Sequence, residues 1–230
     1  MSVFFVAVFY AGVTIAVYLA TNSLYLKYRW IVLSPVLATT TLLVCFMLLF
    51  DISYERYMIG GQWIGAFLGP AVVALAVPLY KHSDLLKKNL LPIAIGVGSG
   101  TIAGMMSGVL LAMLAGFSTE LILTILPKSL TSPVAMQLSE GLGGISSLAA
   151  VFVMIAGFVG IIFGPSLLKI LRIDSSVGRG LGLGTSAHGL GTAKAFEYGP
   201  EEASMSSVAM TLSAVFGSFL GPAVVWLWIL

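Results

Sequence analysis

Long apolar runs, separated by short polar segments, make up most of this chain. The runs that predict helical spans cover residues 2–20, 31–50, 61–80, 91–115, 145–168 and 205–230. Each approaches the roughly 20 residues that a helix needs to cross a bilayer, and none shows the short alternating segments of a membrane β-barrel. The pattern therefore predicts an all-α integral membrane protein with about seven to eight spans, two of them broken or re-entrant.

Two polar segments interrupt the apolar sequence in the second half of the chain. The first, PKSLTS at residues 127–132, separates half-length helical pieces at 119–126 and 133–141. The second is the glycine-rich segment 179–197. Non-helical backbone at membrane depth survives only where protein or a water-lined cavity surrounds it. The breaks therefore predict an internal polar site in a single transmembrane domain, 1–230, in which residues 1–115 are mainly scaffold and residues 116–230 carry the breaks.

Glycines recur every four residues in the run 91–115, at Gly96, Gly100, Gly104 and Gly108. Small residues at this spacing are typical of helices that pack closely in a membrane. We therefore favour a packing surface over a solute pathway for this helix face.

Basic residues concentrate in the loops 21–30, 81–88 and 169–179, which the positive-inside rule places in the cytoplasm. Simple alternation of spans satisfies the first two loops if the N-terminus is outside. The third loop fits only if residues 119–141 enter and leave the membrane on the same side, or if the number of spans differs by one from the count above. The charge pattern thus favours a re-entrant hairpin over a broken helix that crosses fully, and both arrangements remain open at this point.

A short sequence repeat occurs in both halves of the chain. Residues 34–36 (SPV) recur as residues 132–134, and residues 69–70 (GP) recur as residues 164–165. Three spans separate the copies, so the second copy would be inverted in the membrane, and inverted repeats with broken helices are typical of secondary transporters. The match is only a few residues long, so chance accounts for it as well as an inverted repeat does.

Composition supports a membrane protein and excludes several other classes. Hydrophobic residues make up 59% of the chain and charged residues only 9%, against about 25% charged residues in a soluble domain. The net charge of +2 is too small and too scattered to indicate nucleic acid as a partner. The single cysteine, Cys45, excludes a disulfide framework and a cysteine-based metal site. We expect the lipid bilayer as a partner, no metal and no cofactor.

The residue types of the two breaks suit a small carboxylate. Helix N-termini present free N–H groups and a positive dipole end, glycines allow close backbone approach, and hydroxyls and lysines add donors and charge. The predicted substrate-binding residues are Lys128, Ser129, Thr131, Thr185, Ser186, His188, Gly189, Gly191, Thr192 and Lys194. His188 and Glu140 are the candidates for a coupling proton site, because ionisable groups inside a membrane are functional by default.

Structural alternatives stay open for each charged candidate. Lys128 could equally be an interfacial lysine whose ammonium reaches water, and Lys194 could form a helix ion pair with Glu197. His188 could be a buried structural histidine. Glu140 could be an exposed carboxylate at a helix end, or the partner of Lys128. No nucleophile–base pair and no metal-ligand set is apparent in the sequence, so we do not expect an enzyme.

Five segments together resemble the LrgB/CidB family. They are ISYERY (52–57), LGPAVVALAVPLYK (68–81), PKSLTSPVA (127–135), GLGTSAHGLGTAKAFE (182–197) and EEASMSSVAM (201–210). The resemblance covers nearly the whole chain, and the ordered combination of segments is specific. It brings no catalytic residues with it, so the binding roles assigned above rest on chemistry alone.

The resemblance implies a multi-pass protein of the bacterial inner (plasma) membrane with a small holin-like membrane partner of the LrgA/CidA type. It also implies antiholin-like regulation of murein hydrolase activity and autolysis, or transport of pyruvate or small hydroxy acids, since a related plastid protein is a glycolate/glycerate translocator. We expect an ion- or proton-coupled transporter of small monocarboxylates that forms a homo-oligomer. The alternative is a holin- or antiholin-like component that acts through hetero-oligomers with the LrgA/CidA-type partner.

Overall fold

The computed structural model describes residues 3–28, 30, 33–74, 76–81 and 83–228. Arg29 and His82, which belong to two of the predicted basic loops, lie outside the described residues. Every regular element within the described ranges is a helix, which confirms the all-α prediction. The chain divides into two compact units, residues 1–70 and residues 71–230.

Among the described residues, the first unit contains three complete helices: α1 (Val3–Tyr28), α2 (Pro35–Leu49) and α3 (Tyr54–Gly65). Hydrogen bonds between side chains join them. Thr21 Oγ1 and Thr39 Oγ1 share a buried hydrogen bond of 2.7 Å between α1 and α2. Thr14 Oγ1 and Tyr57 OH lie 2.9 Å apart between α1 and α3. Many large apolar side chains of this unit are exposed and do not pack between its helices. The polar contacts therefore help to determine which helices pair.

The remaining helices follow in chain order. They are α4 (Leu68–Ala74), α5 (Ala76–Lys81), α6 (Ser83–Lys88), α7 (Leu90–Leu114), α8 (Thr119–Ile125), α9 (Ser132–Gly141), α10 (Ser146–Ile170), α11 (Ser176–Ala195) and α12 (Pro200–Trp228), with a 3₁₀ turn at Leu126–Ser129. Within the described residues, four helices are long and apolar enough to cross a membrane: α1, α7, α10 and α12. They correspond to four of the six full spans predicted above.

The other two predicted spans differ from the structure. Within the described part of the segment 31–50, the α-helix runs from Pro35 to Leu49, which is short for a full span. The segment 61–80 is divided among α3, α4 and α5. Its first division follows Gly65, the last residue of α3, and Pro70 then lies in the first turn of α4, where the missing N–H of proline is tolerated.

Residues 119–141 form a helical hairpin, called here the first hairpin. Leu130, between the 3₁₀ turn and α9, is extended at φ −121° and ψ 179°, so the predicted interruption of the helix at 127–132 is present. Gly144, after α9, lies against both Ser139 of α9 and Thr124 of α8. Ser139 and Thr124 are therefore neighbours, so α9 runs back alongside α8 and the arms are antiparallel. The Ile145 N–H also donates to Thr124 Oγ1 at 2.8 Å. The tip of this hairpin is therefore at residues 126–131.

Residues 176–195, the helix α11, also form a hairpin, called here the second hairpin. The backbone is non-helical at His188 alone. Before His188, Gly184 packs against Ser206 of α12, and after it Thr192 Oγ1 lies 2.9 Å from Ser206 Oγ. Ala195 likewise returns to the buried cluster that contains Leu183. The chain therefore reverses at His188, and the arms are residues 176–187 and 189–195.

The predicted break over 179–197 is thus narrower than the sequence suggested. Its glycines do not unwind the helix; they remove side chains where backbones approach. A Cβ at Gly180 would lie 2.7 Å from the Glu202 carbonyl oxygen, and one at Gly191 would overlap the carbonyl oxygen of Leu183. Glycine is required at such contacts, because a larger residue would push the first arm away from α12 at Gly180 and the two arms apart at Gly191.

The two hairpins approach each other from opposite ends of α12. Going along α12, Met205 packs on the first arm of the second hairpin at Gly180, and Ser213 lies beside His188 at its tip. Further on, Gly217 contacts Leu130 and Gly221 contacts Leu138 of the first hairpin. The tips therefore meet near the middle of α12.

The basic loops of the second unit lie at the base of the second hairpin. Leu85 and Leu86 of α6 pack against the buried cluster that contains Leu181 and Met205. The loops 81–88 and 169–179 are therefore at one end of this unit. This is compatible with the prediction that both loops lie on the same side of the membrane. Which side of the membrane that end faces stays a prediction.

Candidate functional site

A hydrogen bond between His188 and Ser129 joins the tips of the two hairpins. His188 Nε2 lies 2.8 Å from the Ser129 carbonyl oxygen and 3.4 Å from Ser213 Oγ. A carbonyl oxygen only accepts, so Nε2 carries the hydrogen and donates it. His188 is only 4% exposed, and its Nδ1 has no hydrogen-bond partner within the described residues. The tip contact thus fixes the tautomer and leaves a buried acceptor at Nδ1.

The backbone of His188 is strained. Its φ of 48° with ψ of −121° lies in a region that favours glycine, and such a conformation costs a non-glycine residue on the order of 1–3 kcal/mol. The surrounding contacts hold it in place, since the imidazole bonds the opposite hairpin and the arms close behind it. A strained residue at the meeting point of two elements suggests a functional site.

Substitutions at His188 separate the backbone strain from the side-chain link. His188→Gly removes both the hydrogen bond and the strain, whereas His188→Ala removes the hydrogen bond and keeps the strain. We expect the glycine variant to be the more stable by about 1–3 kcal/mol, measured by thermal unfolding of the purified protein in detergent. An alanine variant as stable as the glycine variant would show that His188 is not strained.

The ammonium of Lys128 lies beside this contact. Its Nζ donates to the Gly104 carbonyl oxygen at 3.0 Å and to Ser129 Oγ at 3.2 Å. Its stem passes over Gly108 of α7, where a Cβ would come within 2.6 Å of Lys128 Cε. Among the described residues no carboxylate lies within 4.0 Å of this ammonium. A lysine ammonium has three donors, so one remains available for an anion.

The glycine face of α7 is filled inside the unit. A Cβ at Gly96 would contact Leu181, one at Gly100 would contact Thr185, and one at Gly104 would lie 2.7 Å from Ser129 Oγ. The predicted close packing is therefore present, and its partners are the two hairpins. Absence of side chains on this face lets Lys128, Ser129 and Thr185 converge on α7.

A cleft of about 490 Å³ opens beside the tips. Its polar lining comes from Lys128, Ser129, Thr185 and Ser186. The opposite wall is apolar and belongs to α10: Phe152, Ile155, Ala156, Val159, Phe163 and Leu167. Thr185 and Ser186 donate their hydroxyl hydrogens to the carbonyls of Leu181 and Gly182, at 2.7 and 2.6 Å. Their oxygens can then only accept from a bound molecule.

The structure brings five predicted site residues together: Lys128, Ser129, Thr185, Ser186 and His188. The others lie elsewhere in the second unit. Thr131 precedes α9 without capping it, Gly189 is exposed at the second tip, and Gly191 and Thr192 pack the returning arm. Lys194 pairs with Glu197 at 2.5 Å, and Glu140 is exposed and does not pair with Lys128. The helix ion pair considered for Lys194 is therefore the one observed.

Sequence reasoning missed three parts of this site. Ser213 of α12, the carbonyl of Gly104 and the apolar wall of α10 were not predicted to contribute. The four-residue spacing of the α7 glycines was the available signal for Gly104, because small residues at this spacing indicate that another element packs closely against the helix. The α10 wall carried no such signal, since its residues have the composition of any lipid-facing helix.

Comparison with known proteins gives the same family over nearly the whole chain. The model of the LrgB-like family matches residues 14–227. A Bacillus subtilis (strain 168) protein named "Uncharacterized protein YxaC" is 54% identical over 222 residues, which cover 96% of each chain. "Holin-like protein CidB" of Staphylococcus aureus (strain N315) is 37% identical over 214 residues, which cover 93% of each chain. No solved structure matches the chain significantly.

These matches agree with the resemblance noted in the five sequence segments and confirm it. The relatives are bacterial, and four described helices are long and apolar enough to cross a membrane. The chain is therefore a helical bacterial membrane protein that belongs to the LrgB-like family.

Proposed function

We propose that this protein is a secondary transporter of small monocarboxylates, with the anion bound in the cleft where the two hairpins meet. The observation that supports this most directly is the Lys128 ammonium, which lies in the cleft without a carboxylate partner among the described residues. An ionisable group held inside a membrane protein next to broken helices is typical of a substrate or ion pathway.

In this proposal both hairpins are re-entrant and enter the membrane from opposite sides. Their antiparallel arms and the tip contact near the middle of α12 support this arrangement. The loops 81–88 and 169–179 would then be cytoplasmic, together with the base of the second hairpin. The inverted repeat between the two halves of the chain remains a prediction.

The chemistry of the cleft favours a carboxylate that also carries a hydroxyl group. Lys128 holds the carboxylate, and Ser129 Oγ keeps its own hydrogen to donate because it accepts from Lys128. Thr185 and Ser186 can only accept, so they match the O–H of a hydroxy acid better than the carbonyl of an oxo acid. Of the two coupling candidates, His188 has a buried acceptor at Nδ1 without a partner among the described residues, whereas Glu140 is exposed.

Flux through reconstituted protein tests the proposal. The purified chain is placed in liposomes, alone and with an LrgA/CidA-type partner, and the fluxes of glycolate, lactate and pyruvate are measured with and without a pH gradient. We expect saturable flux above that of empty liposomes, faster for the two hydroxy acids than for pyruvate, and accelerated by the gradient. Absence of carboxylate flux in both preparations would contradict the transporter proposal.

A holin- or antiholin-like role is the second candidate, because the relative that is 37% identical is named "Holin-like protein CidB". In that role the chain would act in the plasma membrane through hetero-oligomers with the LrgA/CidA-type partner, and it would influence murein hydrolase activity and autolysis. Substitutions at Lys128 and His188 would then leave autolysis nearly unchanged. Loss of autolysis control together with loss of carboxylate flux in the same variants would tie the two roles to one site.

A further inference from the structure

A second polar groove, of about 430 Å³, lies at the base of the second hairpin, and none of its lining residues lines the cleft at the tips. Its lining comes from the last turns of α10, from the link to α11 and from both ends of the second hairpin. Lys169, Asp174, Arg179 and Tyr198 form its polar rim, and Leu168 and Ile173 form its apolar floor. Neither the proposed transport nor the family assignment gives this groove a role.

Arg179 is held in a fixed orientation at this groove. Its Nε donates to the Ile173 carbonyl oxygen at 3.2 Å, and one terminal nitrogen, Nη2, donates to Asp174 at 3.1 Å. The guanidinium also lies over the Tyr198 ring, 5.5 Å from its centroid. The second terminal nitrogen has no bond to a described residue, and a planar guanidinium fixed in this way suits an oxyanion.

Positive charge exceeds negative charge at the rim. Lys169 forms no ion pair or hydrogen bond with any residue in the described part of the chain. Asp174 offsets Arg179 only weakly, because its side chain is 84% exposed and water screens an exposed ion pair. The groove therefore presents two cations, on Lys169 and Arg179, against one solvated carboxylate.

The position of the groove indicates where its ligand comes from. It lies at the end of α10, a helix apolar and long enough to cross a membrane. The neighbouring residues Leu167, Ile170 and Leu171 are exposed and apolar. An apolar surface that ends at paired basic residues and a tyrosine is typical of the level of lipid headgroups, where basic pockets bind anionic phospholipids.

We propose that this groove binds the phosphodiester of an anionic phospholipid. Lys169 and the free side of the Arg179 guanidinium hold the phosphate oxygens. The acyl chains lie along the exposed apolar residues at the end of α10. A lipid bound there bridges α10 and both ends of the second hairpin, since Arg179 belongs to the first arm and Tyr198 follows the second.

The test compares lipids on the full-length protein in detergent. Native mass spectrometry measures the fraction of protein with bound lipid over a concentration series of phosphatidylglycerol or phosphatidylcholine. In a second series, inorganic phosphate competes with bound phosphatidylglycerol. We expect phosphatidylglycerol to bind in preference to phosphatidylcholine and inorganic phosphate to compete only weakly. In Lys169→Gln, binding of phosphatidylglycerol should weaken by about fivefold, the loss expected for one basic residue near a membrane surface.

Two further variants make the assignment specific. Lys87→Gln removes an exposed lysine at the same end of the unit that does not line the groove, and it should bind phosphatidylglycerol as the wild type does. Asp174→Asn removes the competing carboxylate and should tighten binding. Equal losses in Lys169→Gln and Lys87→Gln, or equal binding of both lipids, would overturn the proposal. Full competition by inorganic phosphate would assign the groove to a soluble anion and would equally overturn it.

Discussion

Replacement of Lys128 with alanine is expected to lower carboxylate uptake at low substrate concentration by about 10- to 100-fold, while the protein still inserts into the membrane at wild-type amounts. The ammonium donates to the Gly104 carbonyl oxygen and to Ser129 Oγ and keeps one donor for an anion in the cleft. Loss of a hydrogen bond to a charged group costs roughly 1.5–3 kcal/mol, which weakens binding by about 10- to 100-fold. The measurement is the initial rate of labelled glycolate uptake into liposomes over a concentration series.

A matched lysine elsewhere in the second unit provides the control. Lys194 forms an ion pair with Glu197, and it does not line the cleft. Lys194→Ala should therefore transport normally. Normal uptake by a well-expressed Lys128→Ala protein would reject Lys128 as the carboxylate-binding group. Equal loss in both variants would indicate a general effect of removing positive charge.

The features that the sequence predicted are those with local causes. Apolar runs of sufficient length predicted α1, α7, α10 and α12. The interruption at 127–132 was predictable because Pro127 and Pro133 each lack the N–H that a continuous helix needs. The spacing of the α7 glycines predicted close packing, although not its partners. In each case a few neighbouring residues decide the local backbone.

The features that the sequence did not predict depend on contacts between distant residues. The reversal at His188 has no proline to mark it, and its flanking residues also occur within ordinary helices. What stabilises the reversal is a hydrogen bond to Ser129, 59 residues earlier, and packing on Ser206. The apolar wall of the cleft was equally hidden, because Ile155 and Phe163 would have the same identity if they faced lipid alone.

The same contrast explains the candidate residues that the structure separates from the cleft. Glycine-rich sequence drew attention to the whole segment 179–197, yet only one side of its first arm reaches the cleft. Thr185 and Ser186 lie on that side, whereas Thr192 is on the returning arm and bonds Ser206. A linear segment that folds back on itself presents different residues to different neighbours. Composition alone could not assign the two arms.

Substitution of Gly104 by leucine is expected to disrupt both the packing of α7 and the contact between the two hairpin tips. A Cβ at this position would lie 2.7 Å from both Cβ and Oγ of Ser129, closer than non-bonded atoms approach. The rest of the leucine side chain would displace the first hairpin tip from α7. Overpacking of this kind costs roughly 1–3 kcal/mol or more. It would also break the hydrogen bonds of Lys128 to Gly104 and of His188 to Ser129. We therefore expect a lower midpoint of thermal unfolding in detergent and loss of carboxylate uptake.

Gly98 on the same helix makes the matched control. A Cβ there would meet no atom within 4 Å, so Gly98→Leu should keep uptake and gain up to about 1 kcal/mol from the better helix propensity of leucine. The pair also separates packing within the chain from assembly between chains. If the α7 glycines served mainly as a contact with another subunit, Gly104→Leu would dissociate the oligomer without lowering the stability of the monomer. Because Gly104 already faces Ser129 inside the unit, a fall in monomer stability is the result that the structure requires.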